Sequence, residues 1–355
     1  MEENLKLLRN TIAEINLLDQ HVMREIQIHL DKLTKPQGSL GILEQIALQL
    51  GGITGELFPE VTKKAVVVMA ADHGVVAEGV SAFPAEVTPQ MVLNFVNGGA
   101  AINVLAKHAG AEVLVVDLGV AAEIHESKVL SRKIRFGTAN MAQEPAMTRE
   151  EAIGALEVGI ILAKELKNSG YQILATGEMG IGNTTASSAI TASLLGLSVT
   201  AVTGKGTGLE AEKVAHKARI IEKALTVNQP NVNDPLDVLH KVGGLEIAGL
   251  AGLIIGAAAA RIPILIDGFI STAAALVAIK LAPASREYLI ASHCSAELAH
   301  RILLQALNLK PILELEMRLG EGTGAALAFQ IVEASTKILH EMATFEAAGV
   351  AKKIF

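Results

Sequence analysis

The chain has 355 residues, half of them hydrophobic and 19% charged, a balance that excludes a disordered tail protein and supplies enough apolar surface for a sizeable core. Lys and Arg total 30 against 37 Asp and Glu, a formal charge of −7, and no basic run occurs, which argues against binding a nucleic-acid backbone. Trp is absent, with only 8 Phe and 2 Tyr, so stacking platforms for single-stranded nucleic acid are missing as well.

The amino-terminal segment MEENLKLLRN begins acidic, unlike a basic-then-apolar signal peptide, and a single cysteine, Cys294, fits a reducing compartment. The expected location is therefore cytoplasmic, with no membrane partner. The longest uncharged apolar run, from Ile247 to Ala260, is 14 residues rich in Ala and Gly. It is shorter than the roughly 18 residues of a membrane span and reads as a buried helix.

Amphipathic helices without strands are expected at both ends, for example Asn4 to Leu18 and Ile331 to Ala343. Between them, short β-branched runs alternate with helical patterns: Ala65 to Met69, Val113 to Val116, Gln172 to Ala175, Ile264 to Ile266 and Tyr288 to Ile290. Ile312 to Leu315 reads equally as a sixth strand or a helix end. Because the runs are apolar throughout, both sheet faces should be covered, and the fold class is α/β, doubly wound and mostly parallel. Residues 1–60 plus 331–355 are expected to form a smaller helical domain beside an α/β domain over 61–330.

Open parallel sheets bind ligands at the carboxyl ends of their strands, and there the unusual residues lie. They are Asp72-His73-Gly74 after the first run, Gly177 to Thr185 (GEMGIGNTT) after the third, Asp267-Gly268 after the fourth and Ser292 to Ser295 after the fifth. Two more glycine loops, Gly204 to Gly208 and Gly320 to Gly324, open helices. Glycines at alternate positions before a helix aim free N–H groups at one spot, which suits a phosphate. Gly180, Gly182, Gly204, Gly206 and Gly208 fit that pattern, with Lys213 and Lys217 four apart on the following helix; helix caps and a solvated lysine face are the plain alternative. Neither loop matches the standard nucleotide fingerprints.

Glu321, with glycine on both sides, is a helix-dipole partner or a positioned base, and Glu178 at another strand end suggests two acids facing one crevice. Paired carboxylates are a feature of glycosyl-transfer chemistry. Asp72-His73 lacks the further ligands that a metal needs, so no metal is assigned. Cys294 beside His293 on an extended segment faces away from it, which favours a structural thiol. Asp267 either orients ribose hydroxyls or caps the next helix.

Several segments together resemble one family. They are TKPQGSLG over 34–41, AADHG over 70–74, FPAEVT over 83–88 with Gln90 and Met91, GEMGIGNTT over 177–185, Gly206 to Leu209, Arg261 to Pro263 with DGFI over 267–270, RLGEGTGA over 318–325 and EMATF over 341–345. In this order they are similar to the nicotinate-nucleotide:dimethylbenzimidazole phosphoribosyltransferases, from about residue 34 to 350.

The resemblance implies a Rossmann-like sheet with a small helical domain, a homodimer without metal or other cofactor, and a place in cobalamin lower-ligand assembly. It implies transfer of phosphoribose from nicotinate mononucleotide to 5,6-dimethylbenzimidazole, giving nicotinate and α-ribazole 5′-phosphate. By the same resemblance Glu321 is the general base and Glu178 lies near the ribose or the reacting centre. Ser81, Phe83, Gln90, Met179 and Leu319 line the benzimidazole pocket. Gly180, Gly204, Gly206 and Lys217 hold the phosphate, and Ser295 or Ser292 meets the nicotinate carboxylate. Many relatives carry arginine at the position of Cys294. The alternatives are a noncatalytic nucleotide-binding sensor and a phosphoribosyltransferase for another aromatic base.

Overall fold

The structure, a computed structural model, describes residues 5–204, 206 and 210–351. Asn4, Lys205, Thr207, Gly208 and Leu209 of the expectations above lie outside the described residues, as do 1–3 and 352–355.

Six strands form one parallel sheet: β1 (Lys64–Ala71), β2 (Ala111–Gly119), β3 (Val129–Ser131), β4 (Ile173–Met179), β5 (Ile264–Ile266) and β6 (Leu289–Ala291), in the order β3-β2-β1-β4-β5-β6. Each run read as a strand is one, within four residues at either end. A further pair, β7 (His293–Cys294) and β8 (Leu313–Glu314), forms a separate two-stranded parallel sheet. The segment from Ile312 to Leu315 thus contributes a strand, outside the main sheet. The edge strand β3 was not anticipated, because its three residues sit in a charged stretch without apolar periodicity.

The apolar character of the strands follows from burial on both faces. In β1, Ala65, Val67 and Met69 pack into one hydrophobic cluster, while Val66, Val68 and Ala70 pack into the other. Alternate side chains point to opposite faces, so a strand covered on both sides has no polar positions. On the first face the helices Arg149–Asn168 and Leu245–Ala259 lie against each other. Their closeness explains the Ala- and Gly-rich run. A Cβ on Gly252 would meet the Leu156 carbonyl oxygen at 1.9 Å, and one on Gly159 the Gly249 carbonyl oxygen at 2.0 Å. Among the described residues no helix is long and apolar enough to cross a membrane.

The termini depart from the simplest expectation. The first helix, Lys6–Ala13, ends early because Asp19 starts a new one, Gln20–Leu30, its Oδ1 accepting the N–H groups of His21 and Val22. Leu8 of the first helix joins the large core. Val22, Ile26, Leu30 and Ala47 form a smaller cluster with Leu339, near the end of the helix Thr323–Glu341. That single helix runs from the glycine loop through residue 331, so the helix opened by Gly320 to Gly324 and the helical pattern read from Ile331 are one element.

The chain reverses direction across the sheet between β1 and β4, the strands that carry Asp72 and Glu178 at their carboxyl ends. In doubly wound sheets this switch point opens a crevice, because the loops leaving the two strands run to opposite sides.

Candidate active site

A cleft of about 380 Å³ lies at this switch point. Its apolar lining includes Phe83, Met91, Met179, Ile181, Phe269 and Leu319; its polar lining includes Glu178, Asn183, Thr184, Ser295, Glu297 and Glu321. An apolar slot with a few directed polar groups suits a flat aromatic ligand.

One polar cluster is acidic. Glu178 ends β4, and its carboxylate accepts hydrogen bonds from the Asn183 side-chain amide and, at Oε1, from the Glu321 N–H at 3.4 Å. Burial, reinforced by Asp267 and Glu246, pushes Glu178 up to about 8. Glu321 is 7% exposed. It sits with φ +62° between Gly320 at +85° and Gly322 at +91°, three successive left-handed residues. A glutamate in that region is strained, and such strain is commonly held at functional sites. Contacts at both ends hold it: Gly177 has no Cβ because one would meet the Glu321 carbonyl oxygen at 2.6 Å, and the Gly322 N–H donates to Asp267 Oδ2 at 3.2 Å.

Asp267, directly after β5, caps a helix, but not the next one, Phe269–Leu281. Its Oδ1 accepts the N–H groups of Gly324 at 2.8 Å and Ala325 at 3.1 Å, so it caps the helix Thr323–Glu341. The helix-dipole partner is therefore Asp267. The Glu321 carboxylate accepts instead from the Ile102 N–H, and its Oε2 is buried with no hydrogen-bond partner among the described residues. Burial raises the Glu321 pKa, the Ile102 N–H opposes this, and Asp267 adds to the rise.

The second cluster surrounds Lys217. Its ammonium, on a residue 1% exposed, donates to Thr184 Oγ1 at 2.7 Å, whereas Lys213 on the same helix is exposed. Burial lowers Lys217 to about 8, against the attraction of Glu297. A Cβ on Gly206 would lie 3.2 Å from Lys217 Nζ, and one on Gly180 would meet the Ala71 carbonyl oxygen at 2.3 Å. Both glycines let backbone approach closely. Gly206 also has φ +52°.

Ser295 lines the cleft, and its N–H donates to His300 Nδ1 at 2.8 Å. Nδ1 as acceptor leaves the proton on Nε2, which faces Thr272 Oγ1 at 2.9 Å while that hydroxyl donates to the Gly268 carbonyl. Burial and His293 push His300 down to about 3, consistent with this neutral ring.

Of the residues singled out from the sequence, Glu178, Glu321, Phe83, Met179, Leu319, Gly180, Gly206 and Ser295 line one cleft. Lys217 reaches it through Thr184. Gly204 stands beside Glu297, where a Cβ would meet Glu297 Oε2 at 2.1 Å. Ser81, Gln90 and Ser292 do not line it. Ser81 Oγ accepts the Phe83 N–H at 3.1 Å, Gln90 is exposed between the lining residues Val87 and Met91, and Ser292 Oγ donates to the Ile266 carbonyl at 2.6 Å.

His73 is buried against Glu246 at 2.6 Å, and Asp72 Oδ2 accepts the Ala121 N–H at 2.8 Å. Cys294 is buried with Ala291 and Leu304, burial raising its thiol, while His293 approaches Asp267 at 3.7 Å. Sequence reasoning missed Asn183 and Glu297. Asn183 had a signal in its place five residues after Glu178 at a helix start; Glu297 had none.

A phosphoribosyltransferase family model matches residues 15–350. The chain is 56% identical over 348 residues to a protein of Citrifermentans bemidjiense named nicotinate-nucleotide–dimethylbenzimidazole phosphoribosyltransferase, covering 98% of this chain and 99% of that one. It is 57% identical over 350 residues to one of the same name from Chloroflexus aggregans, again covering 98% and 99%. Among solved structures, CobT from Thermus thermophilus is similar with a TM-score of 0.90 and 49% identity, over 94% of this chain and 100% of that one.

Proposed function

The chain belongs to this phosphoribosyltransferase family, and from that premise we propose how its own residues carry out the reaction. It is an enzyme that transfers phosphoribose from nicotinate mononucleotide to 5,6-dimethylbenzimidazole in the assembly of the cobalamin lower ligand.

The chemistry needs one base. A benzimidazole nitrogen lone pair bonds to C1 of the ribose as the bond from C1 to the pyridinium nitrogen breaks. That bonding pair returns to the nicotinate ring, which leaves without needing a proton. The second benzimidazole nitrogen must lose its proton, and we assign the acceptor as Glu321. The observation that carries this assignment is the buried Glu321 Oε2, which has no partner among the described residues on a residue lining the cleft. A buried acceptor without a hydrogen bond is costly unless a ligand supplies one. The raised pKa of Glu321 makes it a better base than an exposed carboxylate.

Glu178, held near 8 and so protonated at neutral pH, supports the Glu321 backbone, and as a residue lining the cleft it is assigned to the ribose side of the reacting centre. The slot formed by Phe83, Met179 and Leu319 suits the aromatic base, with Ser81 and Gln90 on the segment that forms one wall. Gly180, Gly204 and Gly206 with Lys217 suit the 5′-phosphate, and Ser295 the nicotinate carboxylate. We further propose a homodimer, supported by Phe83 at 50% and Leu319 at 55% exposure beside the cleft, and a cytoplasmic setting, supported by the lone buried thiol.

The test is turnover. The protein incubated with nicotinate mononucleotide and dimethylbenzimidazole in chelator should release nicotinate and form α-ribazole 5′-phosphate. Tight binding of both compounds without release would replace this reading with a nucleotide sensor.

A further inference from the structure

We propose that Glu297 is an internal stand-in for the substrate's phosphate, a carboxylate lodged between Gly204, Gly206 and Lys217 that the nucleotide must displace on binding. The inference rests on the phosphate reading above and concerns what fills that place beforehand.

Glu297 immediately precedes the helix Leu298–Ala306, where an acidic side chain would ordinarily serve the helix N-terminus, yet it makes no side-chain cap. Its own N–H donates to Ser295 Oγ at 3.2 Å, and its side chain turns instead toward the glycine loop. There Oε2 occupies space that a Cβ on Gly204 would invade at 2.1 Å, and the Gly206 N–H donates to the carboxylate. The Lys217 ammonium and the Arg318 guanidinium attract it.

Glu297 is only 9% exposed and at the same time lines the cleft. A backbone N–H, a glycine without a side chain and a buried ammonium form an oxyanion cradle. The Glu297 carboxylate satisfies it.

A carboxylate and a phosphate cannot share that place, because like charges brought together in a buried site repel strongly. The phosphate therefore gains the Gly206 N–H and the Lys217 charge only as Glu297 gives them up, and the open cleft provides room for its side chain to swing out. The Glu297 carboxylate also compensates the buried Lys217, where an isolated charge would be costly. It also discriminates among ligands. A nicotinate riboside, lacking the phosphate, leaves Glu297 where it is.

Calorimetric titration of inorganic phosphate, nicotinate mononucleotide and nicotinate riboside into the wild type and the Glu297→Gln, Glu297→Ala and Lys217→Ala variants tests this. Both Glu297 variants should bind phosphate and the mononucleotide about tenfold or more tightly, with the riboside little changed. Phosphate affinity equal to or weaker than wild type in both variants overturns the inference, as does tightening confined to the riboside. Should Lys217→Ala bind phosphate as well as the wild type, the phosphate site itself is misplaced. A loss of binding in Lys217→Ala with no gain in either Glu297 variant refutes only the role of Glu297.

Discussion

The backbone N–H of Glu321 donates to Glu178 Oε1 at 3.4 Å, joining two residues 143 positions apart at the mouth of the parallel sheet. Through that contact the end of β4 helps to hold the left-handed loop from which Glu321 projects. The two acids are thus placed differently: Glu178 accepts from the Glu321 backbone, and Glu321 Oε2 is buried without a partner among the described residues.

Glu321→Gln keeps the shape of the side chain and removes the proton acceptor. Turnover should fall by about 10² or more while the affinity for both substrates stays near wild type. Since burial raises the Glu321 pKa, the acid limb of the wild-type kcat/KM profile should lie above the ordinary carboxylate range. Steady-state kinetics across pH would check both points, and unchanged turnover would remove Glu321 from the chemistry.

Lys217 carries its own pH signature. Burial lowers it to about 8, so the free enzyme loses this positive charge as pH rises through that value, and affinity for the mononucleotide should fall there. Glu178 is also held near 8 and would gain a negative charge over the same range. Lys217→Ala separates the two. It should weaken binding at neutral pH by about 10- to 100-fold, the worth of one charge-assisted hydrogen bond, and flatten the decline above 8. A decline that persists in the variant would assign it to Glu178.

Asp267 is the acceptor for three N–H groups at the start of the helix Thr323–Glu341. Asp267→Ala leaves these donors buried and unpaired, which should cost about 2 to 4 kcal/mol in chemical denaturation. Turnover should drop as well, because Gly322 is released and Glu321 with it. Asp267→Asn retains an acceptor oxygen and should lose less on both counts. Full stability in Asp267→Ala would show that the helix start does not depend on this carboxylate.

The sequence by itself determined the five apolar strands of the main sheet, since runs apolar on both sides have one favourable place, a covered parallel sheet, while the short edge strand β3 left no such pattern. It also determined which loops stand out at the strand ends, because Gly177 to Thr185 and Gly320 to Gly324 interrupt those patterns with closely spaced glycines and a glutamate each. Only the tertiary structure decided that Asp267, on another strand, takes the helix dipole and leaves Glu321 free of it. The same holds for the burial of Lys217 against Thr184, for Ser295 rather than Ser292 lining the cleft, and for the placing of Glu297 against Gly204. Each of these depends on a through-space contact between segments far apart in the chain, and charge and hydrogen bonding at such distances leave no periodic trace in the local sequence.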